Sequence, residues 1–332
     1  MVHGISYVVC TYNGASRLQR VVGAILSQLK TKENYELILV DNNSTDGSAK
    51  IFNDVVAEHN GRVILEKQQG LMFARLAGLK ASKYKNVLFV DDDNYIQGEW
   101  HEKMIGHITS MQQEYGAIGG FGKLLPVENQ LLVKPWFYEV QRAVAVGRQG
   151  PSMDELSLVD RLYGACVCVN RDVLLRHLEL GGEFFLLGRT DSDKLTSGDD
   201  SELCEILKLH GYSLYHDPTL VFSHDIPLDR LTESYFLRLF DSFGDAFVSL
   251  LPYKLLALPF DMGKLLIKCP ALVRLVINVY WGRLLLPGNS RFYKKCQSMM
   301  YSRARYSLSD SIKIQKNAQV FEKLNELRVK LK

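Results

Sequence analysis

The sequence predicts an α/β protein with a mostly parallel central sheet flanked by helices and a helical appendage toward the C-terminal end. Three observations predict it. Short apolar runs alternate with helix-spaced segments through the first hundred residues. Three of those runs stop abruptly at polar clusters. After about Pro227 the composition turns to long Leu-, Tyr- and Phe-rich segments. Strands this apolar, separated by helices, belong to sheets buried on both faces.

Residues 5–10 (ISYVVC) form the first expected strand, ending at Thr11-Tyr12-Asn13-Gly14. Ser16 can cap a helix whose apolar positions Leu18, Val21, Val22, Ile25, Leu26 and Leu29 recur three and four apart. A second strand, residues 36–40, stops at Asp41, and a helix capped by Ser44 or Asp46 should carry Phe52, Val55 and Val56. Residues 62–65 read as a third strand, 70–81 as a helix, and 86–90 as a strand that stops at Asp91. From 116 to 220 the pattern is mixed, with shorter strands, one expected at 163–169, and a helix at 201–209 ended by Gly211. Residues 314–332 read as a mixed-charge amphipathic helix.

The 332 residues are enough for one large domain with an appendage, and 47% hydrophobic with 23% charged residues suits a sizeable core. The expected division is an α/β unit over 1–226, its two halves about 1–115 and 116–226, followed by a helical region over 227–332. The first residues lack the basic region and cleavage site of a signal peptide. Of six cysteines only Cys166 and Cys168 are close, and they are expected to point to opposite faces of their strand. That suggests neither a zinc site nor a disulfide framework and fits a reducing, cytoplasmic setting.

Parallel α/β sheets place ligand groups beyond the carboxyl ends of their strands. Residues 11–13, 41–43 and 91–94 all fall at such ends. No G-x-G-x-x-G or G-x-x-x-x-G-K-[ST] loop accompanies them, which disfavours a dinucleotide fold or P-loop enzyme. Asp91-Asp92-Asp93 is a set of hard oxygen ligands that suits Mg2+ or Mn2+, although a solvated turn explains such a triplet standing alone. Asp41 can accept hydrogen bonds from a nucleoside or cap the next helix. Asp199-Asp200 opens a helix, as a general base or as caps. His224 ends a strand-like run, as a metal or diphosphate ligand or as an ordinary hydrogen-bonded histidine.

The ordered motifs V-V-C-T-Y-N (8–13), L-V-D-N-N-S-T-D-G-S (39–48), G-L-M-F-A-R (70–75), F-V-D-D-D-N (89–94), Y-G-A (163–165) and G-D-D-S-E-L (198–203) resemble family 2 glycosyltransferases of the GT-A fold, across roughly residues 4–226. The resemblance implies a nucleotide-diphosphate sugar donor, UDP favoured, and an inverting transfer assisted by Mn2+ or Mg2+. It implies that 1–226 is a catalytic unit with a donor half over about 1–115 and an acceptor half over 116–226, and donor contacts at Thr11, Asn13, Asp41, Arg75, Asp91, Asp92 and Asp93. Asp93, Asp91 and His224 would hold the metal, with Asp200 as the catalytic base. Trp136, Tyr163, Gly164, Ala165 and Asp199 would lie toward the acceptor. Asp199 stands where Glu is commoner in the family. None of Trp100, Trp136 or Trp281 follows an arginine, so the Q-x-x-R-W signature of processive synthases is missing and one sugar per encounter is expected.

Two rivals remain: a sugar nucleotidyltransferase, which should carry a basic glycine-rich loop where this chain has TYNGASRLQR, and a non-catalytic glycan-binding scaffold on the same fold. Between residues 262 and 309 there is no acidic residue but nine basic ones. The apolar runs 246–260 and 271–287 are interrupted by Pro252, Lys254 and Pro259, and by Arg274 and Arg283, so neither suits a membrane span. Such basic, aromatic helices fit an anionic membrane surface on its cytoplasmic side and a glycan or lipid-linked saccharide acceptor; packing on protein is the alternative. Nucleic acid is disfavoured, as no reading motif accompanies the charge.

Overall fold

The computed structural model describes residues 4–29, 34–57, 59–111, 114–188, 195–269, 271–273 and 290–331. Strands β1 (Ile5–Thr11), β2 (Tyr35–Asp41), β3 (Gly61–Leu65) and β4 (Asn86–Asp91) alternate with helices α1 (Ala15–Leu26), α2 (Ser48–Val56) and α3 (Leu71–Ala81). The short β5 (Asn94–Ile96) and helix α4 (Trp100–Ser110) follow. Then come β6 (Tyr115–Leu125), short helices α5 (Val127–Leu132) and α6 (Phe137–Val140), β7 (Ser157–Val159), β8 (Val167–Asn170) and α7 (Arg171–Glu179). Helix α8 (Asp199–Leu209) leads into the long β9 (Ser213–Asp225). The C-terminal helices are α9 (Glu233–Ser249), α10 (Leu251–Leu255), α11 (Phe260–Lys268), α12 (Arg291–Ser307) and α13 (Ser311–Leu331).

One sheet has the order β3-β2-β1-β4-β8-β6-β9-β5, with β7 also pairing β9. β3, β2, β1 and β4 run parallel, β8 runs antiparallel to both β4 and β6, and β6 is parallel to β9. Alternate residues of β1 go to opposite cores. Val8 and Cys10 join Ile38, Val40 and Phe89 under α3, whereas Tyr7 and Val9 join Leu37, Leu39 and Val90 with the apolar stripes of α1 and α2. Burial on both faces is why these strands lack a polar alternation. The register sets Thr11 opposite Asp41 and Cys10 opposite Asp91, so the three polar clusters meet on one edge as expected.

Several local expectations are corrected. Ser16 does not cap α1: the cap position is Gly14, two residues earlier, and the helix starts at Ala15 with no side-chain cap. The Ala15 N–H instead donates to Asp46 Oδ2, while Asp46 Oδ1 accepts from the N–H and hydroxyl of Ser48. One carboxylate thus serves the starts of both α1 and α2, and α2 begins at Ser48, not at Ser44 or Asp46. The strand expected at 163–169 is confined to Val167–Asn170. Residues two apart on a strand would share a face, not point to opposite ones; Cys166 in fact lies in the turn before β8, at φ 47°, and is buried in the same core as Cys168. Of the strands in the mixed region only β7 and β8 are short, with 3 and 4 residues, whereas β6 and β9 have 11 and 13. The run 271–287 lies outside the described residues from 274 onward; among the described residues no helix is long and apolar enough to cross a membrane.

Candidate active site

Beyond the ends of β1, β2 and β4, polar side chains first knit the loops together. Asn42 donates from Nδ2 to the carbonyls of Glu66 and Gln68 and accepts from the Gly70 N–H, which fixes the entry into α3. Asp41 accepts from the Ser44 N–H at 2.9 Å. Asn13, at φ 53°, accepts from the Thr45 N–H at 2.9 Å. Neither Asp41 nor Asn13 lines the central cavity; Thr11, Tyr12, Arg17 and Asn42 do, and of these only Thr11 is an expected donor contact.

The three acids have three different environments. Asp91 pairs with Arg75 (Oδ1 to Nη2, 3.2 Å). Burial raises its carboxyl above the ordinary value against the pull of Arg75. Asp92 is clamped by the Arg17 guanidinium at 2.9 Å and by the Thr11 hydroxyl at 2.5 Å. A Cβ on Gly14 would sit 2.1 Å from Asp92 Oδ2 and 2.2 Å from Thr11 Oγ1, so the clamp needs glycine there. Asp93 accepts from Asn94 Nδ2 and faces His224 Nε2 at 3.6 Å and Arg230 Nη1 at 3.8 Å. Burial alone would raise Asp93, but His224 and Arg230 outweigh it and bring the carboxyl down to about 2.

The donor set suits a hard divalent ion. His224 has Nδ1 2.9 Å from the Val144 carbonyl, a contact that places the ring proton on that nitrogen and leaves Nε2 turned to Asp93. A carboxylate oxygen and an imidazole nitrogen separated beyond hydrogen-bond reach can both contact one ion. Among the described residues no group of three or more His, Cys, Asp or Glu side chains is close enough to do so alone. That is the situation of Mg2+ or Mn2+ sites which borrow oxygens from substrate phosphates and water. Asp91 is engaged instead with Arg75.

Arg75 joins this edge to the helix that opens with the acid pair. Its Nη1 donates to Asp199 Oδ2 at 3.0 Å and its Nη2 to the Gly164 carbonyl at 3.2 Å. Desolvation opposes its charge, yet Asp91 and Asp199 raise its pKa further. Asp200, the next residue, accepts from the Gly164 N–H at 3.3 Å. Burial and then the Asp199 charge lift the Asp200 carboxyl, with Arg75 and Arg161 opposing. Tyr163, Gly164 and Ala165 line the cavity beside these acids. Trp136 does not: it packs in an aromatic cluster with Phe137, Phe236 and Phe292. Sequence reasoning does not find Arg17 or Arg230, which sit in charged, solvent-facing contexts with no motif of their own.

The three acids, Arg17, Arg75, the Asp199-Asp200 pair, His224 and Arg230 open on one cavity of about 1760 Å³, which also takes in residues of α9 and α12. That exceeds the 300–1,000 Å³ common for single small ligands and leaves room for two substrates.

Residues 6–122 match the model of Glycosyl transferase family 2. The chain is 31% identical over 107 residues to Glycosyltransferase AglE of Haloferax volcanii, covering 32% of this chain and 35% of that protein. It is 34% identical over 98 residues to a poly(ribitol-phosphate) beta-glucosyltransferase of Bacillus spizizenii, covering 29% of this chain and 16% of that one. The chain therefore spans little more than a third of these relatives' length, or less. In structure it is similar to the mannosyltransferase PcManGT of Pyrobaculum calidifontis, solved with GDP-Man and Mn2+, with a TM-score of 0.52, 16% identity, and 98% and 86% of the two chains covered. The protein thus carries the sequence pattern of family 2 glycosyltransferases over residues 6–122, on a GT-A fold.

Proposed function

We propose that this protein is an inverting glycosyltransferase that moves one sugar from a nucleotide-diphosphate sugar, UDP favoured, to a hydroxyl of a glycan acceptor. The observation that carries the reading is the Arg75 bridge, which holds Asp91 of the donor edge and Asp199, neighbour of the base, in one cavity. Thr11, Asn42 and the loops they tie would receive the nucleoside. Asp93 and His224 would hold Mn2+ or Mg2+, which when bound offsets the charge of the leaving diphosphate. Asp200 takes the proton of the acceptor hydroxyl as that oxygen bonds to the anomeric carbon from the face opposite the diphosphate. The carbon–oxygen bond to the diphosphate breaks with its electron pair on the departing oxygen, and configuration inverts. The names of relatives such as the poly(ribitol-phosphate) glucosyltransferase support a role in cell-surface polysaccharide synthesis. The cytoplasmic face of the membrane is the proposed place, and the exposed cations of α12 support it.

Asp200→Asn tests the base. Sugar transfer should fall at least about 100-fold, the usual worth of a positioned general base, while nucleotide-sugar affinity measured by calorimetry with Mn2+ stays within a few-fold. Equal losses of affinity and rate would remove Asp200 from that role.

A further inference from the structure

We propose that Gln149 is a positioning residue for the transfer step: its side-chain amide ties the Tyr163–Gly164 peptide, which donates to the Asp200 carboxylate, to the central sheet. The proposal rests on Asp200 as the base and deepens that reading by naming what fixes the base in place.

The segment before β8 is held by side chains. Three consecutive backbone N–H groups donate to them: Leu162 to Cys204 Sγ at 3.4 Å, Tyr163 to Gln149 Oε1, and Gly164 to Asp200 Oδ2 at 3.3 Å. Cys204 and Asp200 both belong to α8, so two of the three contacts move with the helix that carries the base. The third acceptor, Gln149, lies outside α8. The segment also runs into Cys166 at φ 47°, a left-handed backbone that a residue with a side chain keeps only where its surroundings hold it.

The other end of the amide is anchored. Gln149 lies between α6 and β7, is 6% exposed, and donates from Nε2 to the Gly120 carbonyl of β6 at 2.8 Å. Its backbone is fixed as well. The Gln149 N–H donates to Nε2 of the fully buried His216 on β9 at 3.3 Å, and the His216 Nδ1 proton faces the Gly119 carbonyl. The Gln149 carbonyl accepts from Arg142, and the Gly147 N–H donates to the Gly122 carbonyl at 2.8 Å, so this stretch lies along β6. Glycines in β6 permit the approach. A Cβ on Gly122 would lie 1.9 Å from the Ala145 carbonyl oxygen, and one on Gly119 would lie 2.9 Å from Gln149 Nε2.

The chemistry of the position calls for an amide. The Tyr163 N–H needs an acceptor and the Gly120 carbonyl needs a donor; a glutamine amide supplies both, whereas a carboxylate lacks the donor. Gln149, Tyr163, Gly164 and Asp200 all line the cavity. The tethered peptide serves both sides of the site, because the Gly164 carbonyl accepts from Arg75 at 3.2 Å while the Gly164 N–H faces the base.

Two variants test the tether. Gln149→Met keeps the length and loses the amide; Gln149→Asn keeps an amide one methylene short and serves if the first does not fold. In the sugar-transfer assay applied to Asp200→Asn, each should lower kcat about tenfold and leave the donor KM within about twofold, because a misplaced base costs the transition state and not donor binding. A second readout needs no substrate. In the full chain labelled with 13C at its aspartate carboxyls, the Asp200 resonance is the one missing from Asp200→Asn. A hydrogen bond to the ionised form favours that form, so loosening the Gly164 N–H should move the Asp200 midpoint to higher pH in both variants. A glutamine that merely stabilises the fold would lower the melting temperature and leave midpoint and kcat at the parent's values, and that result, or a loss confined to donor KM, would overturn the proposal. Failure of the base reading looks different: Asp200→Asn then transfers sugar as fast as the parent, while the Asp200 midpoint still reports on the tether.

Discussion

At the scale of single residues, Arg75 and the acids around it decide the electrostatics of the site. A guanidinium this buried is tolerable only because Asp91 and Asp199 neutralise it at 3.2 and 3.0 Å. Asp199 has a second effect, since its charge adds to burial in raising the Asp200 carboxyl. As the proposed base, Asp200 would work deprotonated, so turnover should rise as pH climbs through its pKa. Asp199→Asn removes one cause of that rise and leaves more of the Arg75 charge to oppose it. The acid limb of the kcat/KM profile should therefore move to lower pH. An unmoved limb, or one displaced upward, would mean that some other group titrates. The acid pair is legible in sequence as a helix start, but its partnership with Arg75 is not. The two are 124 residues apart, and no local pattern links them.

At the scale of elements, β1, β2 and β4 are legible because each is an unbroken apolar run ended by polar residues. β6 is hidden by four glycines, at least one of them forced by contact: a Cβ on Gly120 would lie 2.0 Å from the Leu220 carbonyl oxygen. Helix α8 also anchors the segment before it in a way the sequence does not announce. Glu202, fully buried, accepts from the backbone N–H groups of Phe185 and Leu186 and from the Tyr253 hydroxyl of α10. Burial outweighs these donors and pushes its carboxyl from 4.5 to about 7. Its pKa is higher folded than unfolded, so the stability it contributes is present below about 4.5 and is lost as pH rises toward about 7. The size is roughly 3 kcal/mol. Glu202→Gln should lose about 1–3 kcal/mol at pH 5, where an amide nitrogen must face a donor, and show a flatter stability curve up to pH 7. Urea denaturation at several pH values measures both, and a curve as steep as the parent's would clear Glu202 of the effect.

At the scale of the whole molecule, α12 presents cations without acids of its own. In its described part the acid-free run seen in the sequence covers most of α11, whose Lys264 and Lys268 pair with Glu322, and α12, whose exposed face carries Arg291, Lys294, Lys295 and Arg305. Cations near an anionic bilayer are each worth about 1 kcal/mol. Replacing Lys294 and Lys295 by Gln should then weaken binding to phosphatidylserine vesicles roughly thirtyfold at low salt, and added salt should weaken the parent protein likewise. Sedimentation with vesicles reads this directly, and identical behaviour of parent and variant would leave α12 without a membrane role.

The position of α12 bears on how the protein can be handled. Its Ser290 start accepts from the Tyr293 N–H and donates to Glu139, while Phe292, Tyr293 and Cys296 close the aromatic cluster around Phe236. The helix that gives the surface its cations is thus also a wall of the cavity and a staple on α9. Trimming the chain before residue 290 to improve its solubility would strip that wall away along with the charge, and a shortened protein would report on a damaged cavity. Point changes on the outer face are the sounder route.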